Sequence, residues 1–449
     1  MTNSSNTQEL GTGKISKLLL QYAIPSIIAM TASSLYNIMD SVFIGHGVGA
    51  LAISALAIIL PLMNLSAAFG AMVGIGASSL MSIKLGQRDK SAAISIFANA
   101  LLLNVIIGVI FGAICLIFLD EILYLFGASE NTIGYARDYM RILLIGNVFT
   151  HMYFGLNNVL RATGYPHKSM RIILTSIVLN GILNALFIFV FEWGMKGAAW
   201  ATVISQSIAM IIQFMHFTNT NHEIYIVRSV LKLSRKIIQG ILSIGLAPFL
   251  MHVSACVVVI FINKALKNTG GDIYVGAYGI VNRVALIFGM IVFGINQGMQ
   301  PIVGYNYGAK NLERVTQVLK LGIIAATCVT SFGFIMGMAF PKWVSMMFTT
   351  DPTLLALSEE GLRIVTLVFP IVGFQIVTSN FFQSINKAHK AIFMSLTRQL
   401  LFLLPLLIIL PPIWGSKGVW WSMPISDAIA TIVAAILLMR QFKIFKQNL

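Results

Sequence analysis

The sequence predicts an all-α integral membrane protein with twelve transmembrane helices in two six-helix lobes. Three observations predict it. Of 449 residues, 57% are hydrophobic and only 10% are charged. A surface facing water carries about a quarter charged residues, so this surface faces lipid. The apolar residues fall into about twelve runs, each near the ~20 residues that a bilayer core requires. Short motifs also recur, in order and in register, between the first and second halves of the chain.

The runs read, in order, as 15–44, 50–80, 92–119, 138–160, 168–191, 196–217, 237–266, 274–302, 313–340, 356–383, 389–411 and 418–440. Several exceed one bilayer thickness, so tilt or protrusion is expected. A polar Ser/Asn/Thr-rich segment, 1–14, precedes them. It lacks a short apolar region with a small-residue cleavage site, so the first helix is expected to act as the insertion signal. The chain thus divides into a cytoplasmic segment 1–14, an N-lobe 15–217, a cytoplasmic linker 218–236, a C-lobe 237–440 and a cytoplasmic tail 441–449.

Net charge is +15, from 30 Lys and Arg against 15 Asp and Glu. The basic residues form short clusters between apolar runs, which fits a membrane topology and argues against a nucleic-acid partner. With both termini inside, 21 basic residues fall inside and 8 outside, and Arg283 falls within helix eight. Arg398 is counted with Lys387 and Lys390 in an inside cluster. The bias places both ends in the cytoplasm of a cell inner membrane and requires an even number of spans. Cys115, Cys256 and Cys328 all lie in apolar runs and read as packing residues.

Leu85–Asp89 matches Tyr307–Asn311, and Gly164–Lys168 matches Asn386–Lys390, both at an offset of 222; Trp193–Gly197 matches Trp414–Gly418 at 221. An even number of spans per half gives parallel repeats, related by an axis along the membrane normal. Two such bundles about a cleft make a transporter plan. Small-xxx-small spacings such as Gly70/Gly74 and Gly294/Gly298 mark close helix packing. Prolines in or at the ends of spans, among them Pro25, Pro61, Pro248 and Pro301, supply bends.

Ionisable groups inside spans are expensive and are functional candidates by default. Asp40 in helix one is the foremost. Leu35, Tyr36 and Met39 surround it with apolar bulk, and Asn37 is one turn away. Desolvation penalises its charged form, so it can exchange a proton or hold a cation. Asn180 and Asn184 share one face of helix five, and Thr202, Ser205 and Gln206 lie on helix six. These polar groups either join helices or line a cavity with Asp40. Asp427 of helix twelve aligns with Gln206 across the repeat, and Arg283 is the intramembrane cation. They form a possible structural or secondary polar site, with a buried Asp427–Arg283 pair one reading. There is no Walker A sequence, His-Glu-x-x-His or Cys-x-x-Cys, so neither an enzyme nor a resident metal or cofactor is expected. An ion gradient remains as the energy source.

Motifs along residues 14–440 resemble the multidrug and toxic compound extrusion (MATE) family, near its MepA-like and DinF-like members. They are Ile24-Pro25, Asn37–Gly45, Leu160–Gly164, Gly197–Gln206 and, most specifically, Asn296–Ala309. The resemblance implies the MATE fold, alternating access, and antiport of amphipathic, often cationic drugs and dyes for protons or sodium ions. It implies antibiotic resistance, membrane lipids as surroundings and a monomer. It also implies a cation- or proton-coupling site in the N-lobe, here Asp40, Asn180, Asn184 and Thr202 with Asn37 nearby. Family members often carry an aspartate where this chain has Asn184. With Asp40 the sole acid, proton coupling is favoured, with sodium at the Asp40 cluster the alternative. A flippase for lipid-linked or polysaccharide precursors is the rival reading. It would need several basic residues in the spans.

Overall fold

The computed structural model describes residues 7–227 and 232–447. Among the described residues every regular element is a helix. Besides three short helices, Glu9–Thr12, Leu119–Leu125 and Pro341–Met346, they form twelve rods: α1 (Ile15–Gly47), α2 (Ala50–Gly86), α3 (Lys90–Ile117), α4 (133–162, interrupted at Gly146), α5 (Pro166–Val190), α6 (Gly194–Thr218), α7 (Arg235–Gly270), α8 (Asp272–Gly308), α9 (Leu312–Ala339), α10 (352–384), α11 (Ala388–Trp414) and α12 (Ser416–Gln447). Ten are long and apolar enough to cross a bilayer. The bent pair Pro352–Thr366 and Phe369–Ser384, at 55°, makes an eleventh as α10. α4 is the most polar rod. Its first half carries Arg137, Asp138 and Arg141, and Arg137 makes a two-point ion pair with Asp120 at 2.7 and 2.8 Å.

α1, α2, α7 and α8 are 33 to 37 residues long. At 1.5 Å per residue they reach about 50 Å, well beyond the hydrocarbon core, so they protrude or tilt.

The repeat is written into the backbone. Arg88 and Lys310 occupy matching positions in the two halves, and both have φ 59°. The next residue caps the following helix each time: Asp89 accepts from the Ala92 N–H at 3.0 Å and Asn311 from the Arg314 N–H at 3.2 Å. Gly49 and Gly271, and Gly194 and Gly415, repeat the left-handed turns elsewhere.

Two compact units emerge. Unit 1 spans Ile28–Phe249 together with the segment up to Gly13; unit 2 spans Lys14–Ile27 and Leu250–Leu449. The chain therefore changes unit inside α1 and inside α7, close to Pro25 and Pro248. The packing at these exchanged segments repeats too. In unit 1 the start of α7 crosses α2 so closely that a Cβ on Gly76 would lie 2.1 Å from the Ile241 carbonyl oxygen, and one on Gly245 2.0 Å from that of Met72. In unit 2 the start of α1 crosses α8 likewise, and a Cβ on Gly298 would lie 2.5 Å from the Ala23 nitrogen. Gly76 and Gly298 are equivalent positions of the repeat, as are Ala23 and Gly245. Helix association in lipid depends on this kind of backbone approach.

The connection after α6 is tied to unit 1. The Ile226 N–H donates to the Phe217 carbonyl at 2.8 Å, and Ile224 is buried. Lys90 sits over the Tyr225 ring at 5.5 Å. The Asn99 amide donates to the Lys232 carbonyl and accepts from the Ser234 N–H at 2.7 Å. His222 Nδ1 is 3.0 Å from the Tyr165 hydroxyl, and Glu223 accepts from Thr7. Burial, with help from the nearby Lys168 charge, holds the His222 imidazole below its usual range. The docked form therefore favours neutral His222. Its contribution is complete above the free-imidazole value of about 6.5 and is lost as pH falls from there through the lowered value. Hydrogen exchange of residues 219–227, corrected for intrinsic rates, is expected to quicken between pH 7.5 and 5.5 in wild type. His222→Gln should show no such step.

Candidate functional site

Asp40 lies near the end of α1, buried within unit 1. α5 brings Asn180 and Asn184 to it because the two amides are one turn apart and share a face. Asn184 Nδ2 is 2.5 Å from Asp40 Oδ1, and the Tyr139 hydroxyl of α4 donates to Oδ2 at 3.4 Å. The amide of Asn180 fits its neighbours with nitrogen toward Asp40 Oδ1 at 3.2 Å. Its oxygen then accepts from the Tyr36 hydroxyl at 3.2 Å and the Thr202 N–H at 3.3 Å. Tyr36 and Thr202 hydroxyls are 2.9 Å apart. The carboxylate is thus held by neutral donors, with no ion pair to it among the described residues. Asn184 Oδ1, beside it, is buried without a hydrogen-bond partner. Just past Asn184, Leu186–Val190 widens to a π-helical turn, a feature common at functional sites.

Asp40, Asn180, Asn184 and Thr202 are therefore brought together, with Thr202 one step removed through Asn180. The Asn37 side chain lies outside the described residues. Tyr36 and Tyr139 were not singled out from the sequence as partners. Tyrosines in apolar runs carry no pattern that separates a bonded hydroxyl from an interfacial one.

A cavity of about 210 Å³ opens next to this cluster, within unit 1. Tyr36 and Thr202 form part of its wall, with Met63, Met140, Tyr153 and Phe154 giving it an apolar and aromatic lining. Asn64, Asn147, Thr150 and Gln206 supply polar groups, and no lining residue is charged. Gln206 thus lies in the cavity, where its Oε1 accepts from Thr150 at 2.6 Å. Within the wall, Ser66 donates to Asn147 Oδ1 at 2.5 Å and lies 3.3 Å from Nε2 of His151, which is not itself a lining residue.

The remaining sequence candidates lie in unit 2. Asp427 meets a guanidinium, but it is Arg398, at 2.6 Å, and not Arg283. Arg398 is not in an inside cluster with Lys387 and Lys390. It sits inside α11, in the π-helical stretch Thr397–Leu403. Its nearness in sequence to those lysines hid it, since a single charge in a long apolar run barely lowers its hydropathy. Arg283 is exposed on α8.

The MatE family profile matches residues 25–186 and again 243–409, one copy in each half. The chain belongs to the MatE family. Among relatives of this MatE chain is the multidrug export protein MepA of Staphylococcus haemolyticus, 27% identical over 94% of the chain and 93% of the relative. MepA of Staphylococcus aureus is 25% identical over the same shares. A solved structure of the MATE multidrug transporter DinF-BH in complex with a dye superposes with TM-score 0.90, at 35% identity, covering 99% of both chains. An outward-facing MATE transporter of the MOP superfamily superposes with TM-score 0.92 at 24% identity, over 99% of both, which supports the fold. This MatE protein is a multi-pass membrane transporter of the multidrug type and not an enzyme.

Proposed function

We propose that this MatE chain is a secondary active multidrug efflux transporter. It exports amphipathic, often cationic compounds in exchange for protons by alternating access of its N- and C-lobes. It works as a monomer in the cytoplasmic membrane, with both termini inside. The observation that carries this reading is the chain of contacts from Asp40 through Asn180 to Tyr36 and Thr202, which are cavity wall. A change of charge at Asp40 is felt at the cavity through two hydrogen bonds.

The chemistry follows from the neutral partners. A buried carboxylate without a counter-ion is costly, and a proton removes that cost. The 2.5 Å separation at Oδ1 matches an O–H···O contact. On protonation the Asn184 amide turns its unpartnered oxygen to accept from Asp40. Asn180 then exchanges its acceptor, from Asp40 Oδ1 to the turned Asn184 oxygen 2.9 Å away, and the Tyr36–Thr202 wall relaxes. The cavity offers aromatic faces and amide oxygens but no fixed cation, which suits a planar cationic ring system. At about 210 Å³ it is smaller than the ~300–1,000 Å³ of a drug-sized pocket, so it takes the ring system and leaves the rest outside. The dye complex of DinF-BH supports dyes as substrates. A precursor flippase fits less well, because a pyrophosphate needs clustered cations and this wall has none.

Sodium is the alternative coupling ion, held by the same oxygens. The test is dye efflux from proteoliposomes under an imposed pH gradient without sodium, and under a sodium gradient at uniform pH. Efflux with the pH gradient alone is expected. Efflux with sodium alone would reassign the coupling ion, and efflux with neither would sink antiport.

A further inference from the structure

Unit 2 carries four charged side chains ten or more residues from both ends of their rods: Arg283 on α8, Arg363 on α10 just before its bend, Arg398 on α11 and Asp427 on α12. Three guanidiniums stand against one carboxylate, and only that of Arg398 is paired with it, so these interior positions of unit 2 are net positive. Unit 1 has the buried acid Asp40.

Arg398 is held in a particular way. Its Nε donates to Asp427 Oδ1 at 2.6 Å, and its backbone carbonyl accepts from the Ser426 hydroxyl, also at 2.6 Å. Two consecutive residues of α12 thus hold both the backbone carbonyl of Arg398, which lies in the π-helical stretch, and its guanidinium. The grip is one-sided. Among the described residues neither Nη nitrogen of Arg398 has a hydrogen-bond partner, and a third of the side chain is exposed against a tenth for Asp427. Arg283 is exposed, with no hydrogen bond or ion pair among the described residues. A guanidinium open to lipid at this depth costs several kcal/mol, so the open side of Arg398 faces water or a ligand. The free edge of a guanidinium is a fork matched to two oxygens of one anion.

We propose that Arg398, positioned by Asp427 and Ser426, is a binding site for an oxyanion, the carboxylate or phosphate of an amphipathic molecule. Asp427 is then a positioning residue that presents the Nη edge. The site lies in unit 2, the Asp40 cluster in unit 1, and it adds zwitterionic compounds to the cationic ones proposed above. It rests on the transport reading only for the identity of the compound.

The test uses the purified full chain in nanodiscs and reads binding without a gradient. The probes are a rhodamine with a free carboxylate, its ethyl ester, and phosphatidylglycerol as the source of phosphate. Wild type in phosphatidylcholine is expected to bind the acid about tenfold tighter than the ester, the worth of one charge-assisted pair. Arg398→Gln alone strands Asp427, so the main variant is Arg398→Gln with Asp427→Asn, which removes both charges and keeps the shapes. It should bind acid and ester equally, with ester affinity unchanged. Arg398→Lys should keep only part of the preference, having charge without the fork. If the site takes lipid phosphate, phosphatidylglycerol weakens acid binding in wild type and not in the double variant. The proposal is overturned if the acid preference survives in the double variant, or if neither the acid nor phosphatidylglycerol depends on Arg398. Ester export by wild type is followed separately. Its absence would remove the efflux reading and leave the oxyanion site standing.

Discussion

Asp40→Asn is expected to reduce gradient-driven dye export by about 100-fold or more, the scale on which a positioned proton-transfer group acts. The variant keeps the shape of the side chain and its neighbours on α4 and α5 but cannot change charge. It should accumulate at least as well as wild type, because it removes a buried charge whose partners are all neutral. Dye should still bind, at the affinity of wild type with Asp40 protonated, since Asp40 does not itself line the cavity but its charge sets the Tyr36–Thr202 wall. Lost transport with retained binding separates coupling from substrate recognition, and wild-type export at equal protein level would remove Asp40 from the mechanism. Asn184→Asp tests the same site from the other side. It puts a second carboxylate 2.5 Å from Asp40 Oδ1, a spacing at which two charges must share a proton or a cation. Sodium-stimulated export is the expected gain, measured with the gradients described above.

The second large effect is on folding. Gly76→Val and Gly298→Val are each expected to lose most of the correctly folded protein. At Gly76 the first added carbon would lie 2.1 Å from a carbonyl oxygen, and at Gly298 2.5 Å from a backbone nitrogen. Real contacts of this kind stay beyond 3.0 Å. Backbone cannot turn aside as a side chain can, so whole helices must part. Overpacking a tight site costs about 1–3 kcal/mol, and a branched residue against backbone belongs at or above the top of that range. α7 would come away from α2 in one variant, and α1 from α8 in the other. Size-exclusion profiles of the detergent-extracted protein report this as loss of the monodisperse peak. Gly279→Ala is the control. No atom lies within 4 Å of its added carbon, so it should be neutral or slightly stabilising. Equal behaviour of Gly76→Val and Gly279→Ala would show that the close crossing is not needed.

The two glycines also show how far the sequence could be read. Gly294/Gly298 was visible as a close-packing signal because four-residue spacing is local. That Gly298 meets Ala23, and that Gly76 meets the stretch from Ile241 to Gly245, was not visible, because each partner sits on a helix remote in the chain. The polar candidates divide in the same way. Asp40, Asn180 and Asn184 stood out because a polar group in an apolar run is rare and the amide spacing gives one face. Tyr36 and Tyr139 did not, since aromatic hydroxyls are common in such runs. The pairing of Asp427 failed for a related reason: Arg283 was the conspicuous cation, while Arg398 was masked by neighbouring lysines.

The sequence by itself determined the helical membrane architecture, the number of rods and the repeat that relates the two halves. Each depends on local hydropathy or on direct comparison of one segment with another. Only the tertiary structure decided which helices exchange between the units, which hydroxyls close the Asp40 cluster, and which arginine Asp427 holds. Lipid leaves helices little hydrophobic preference for one neighbour over another. Partner choice then rests on backbone approach and a few buried hydrogen bonds, and these exist only between residues far apart in the chain.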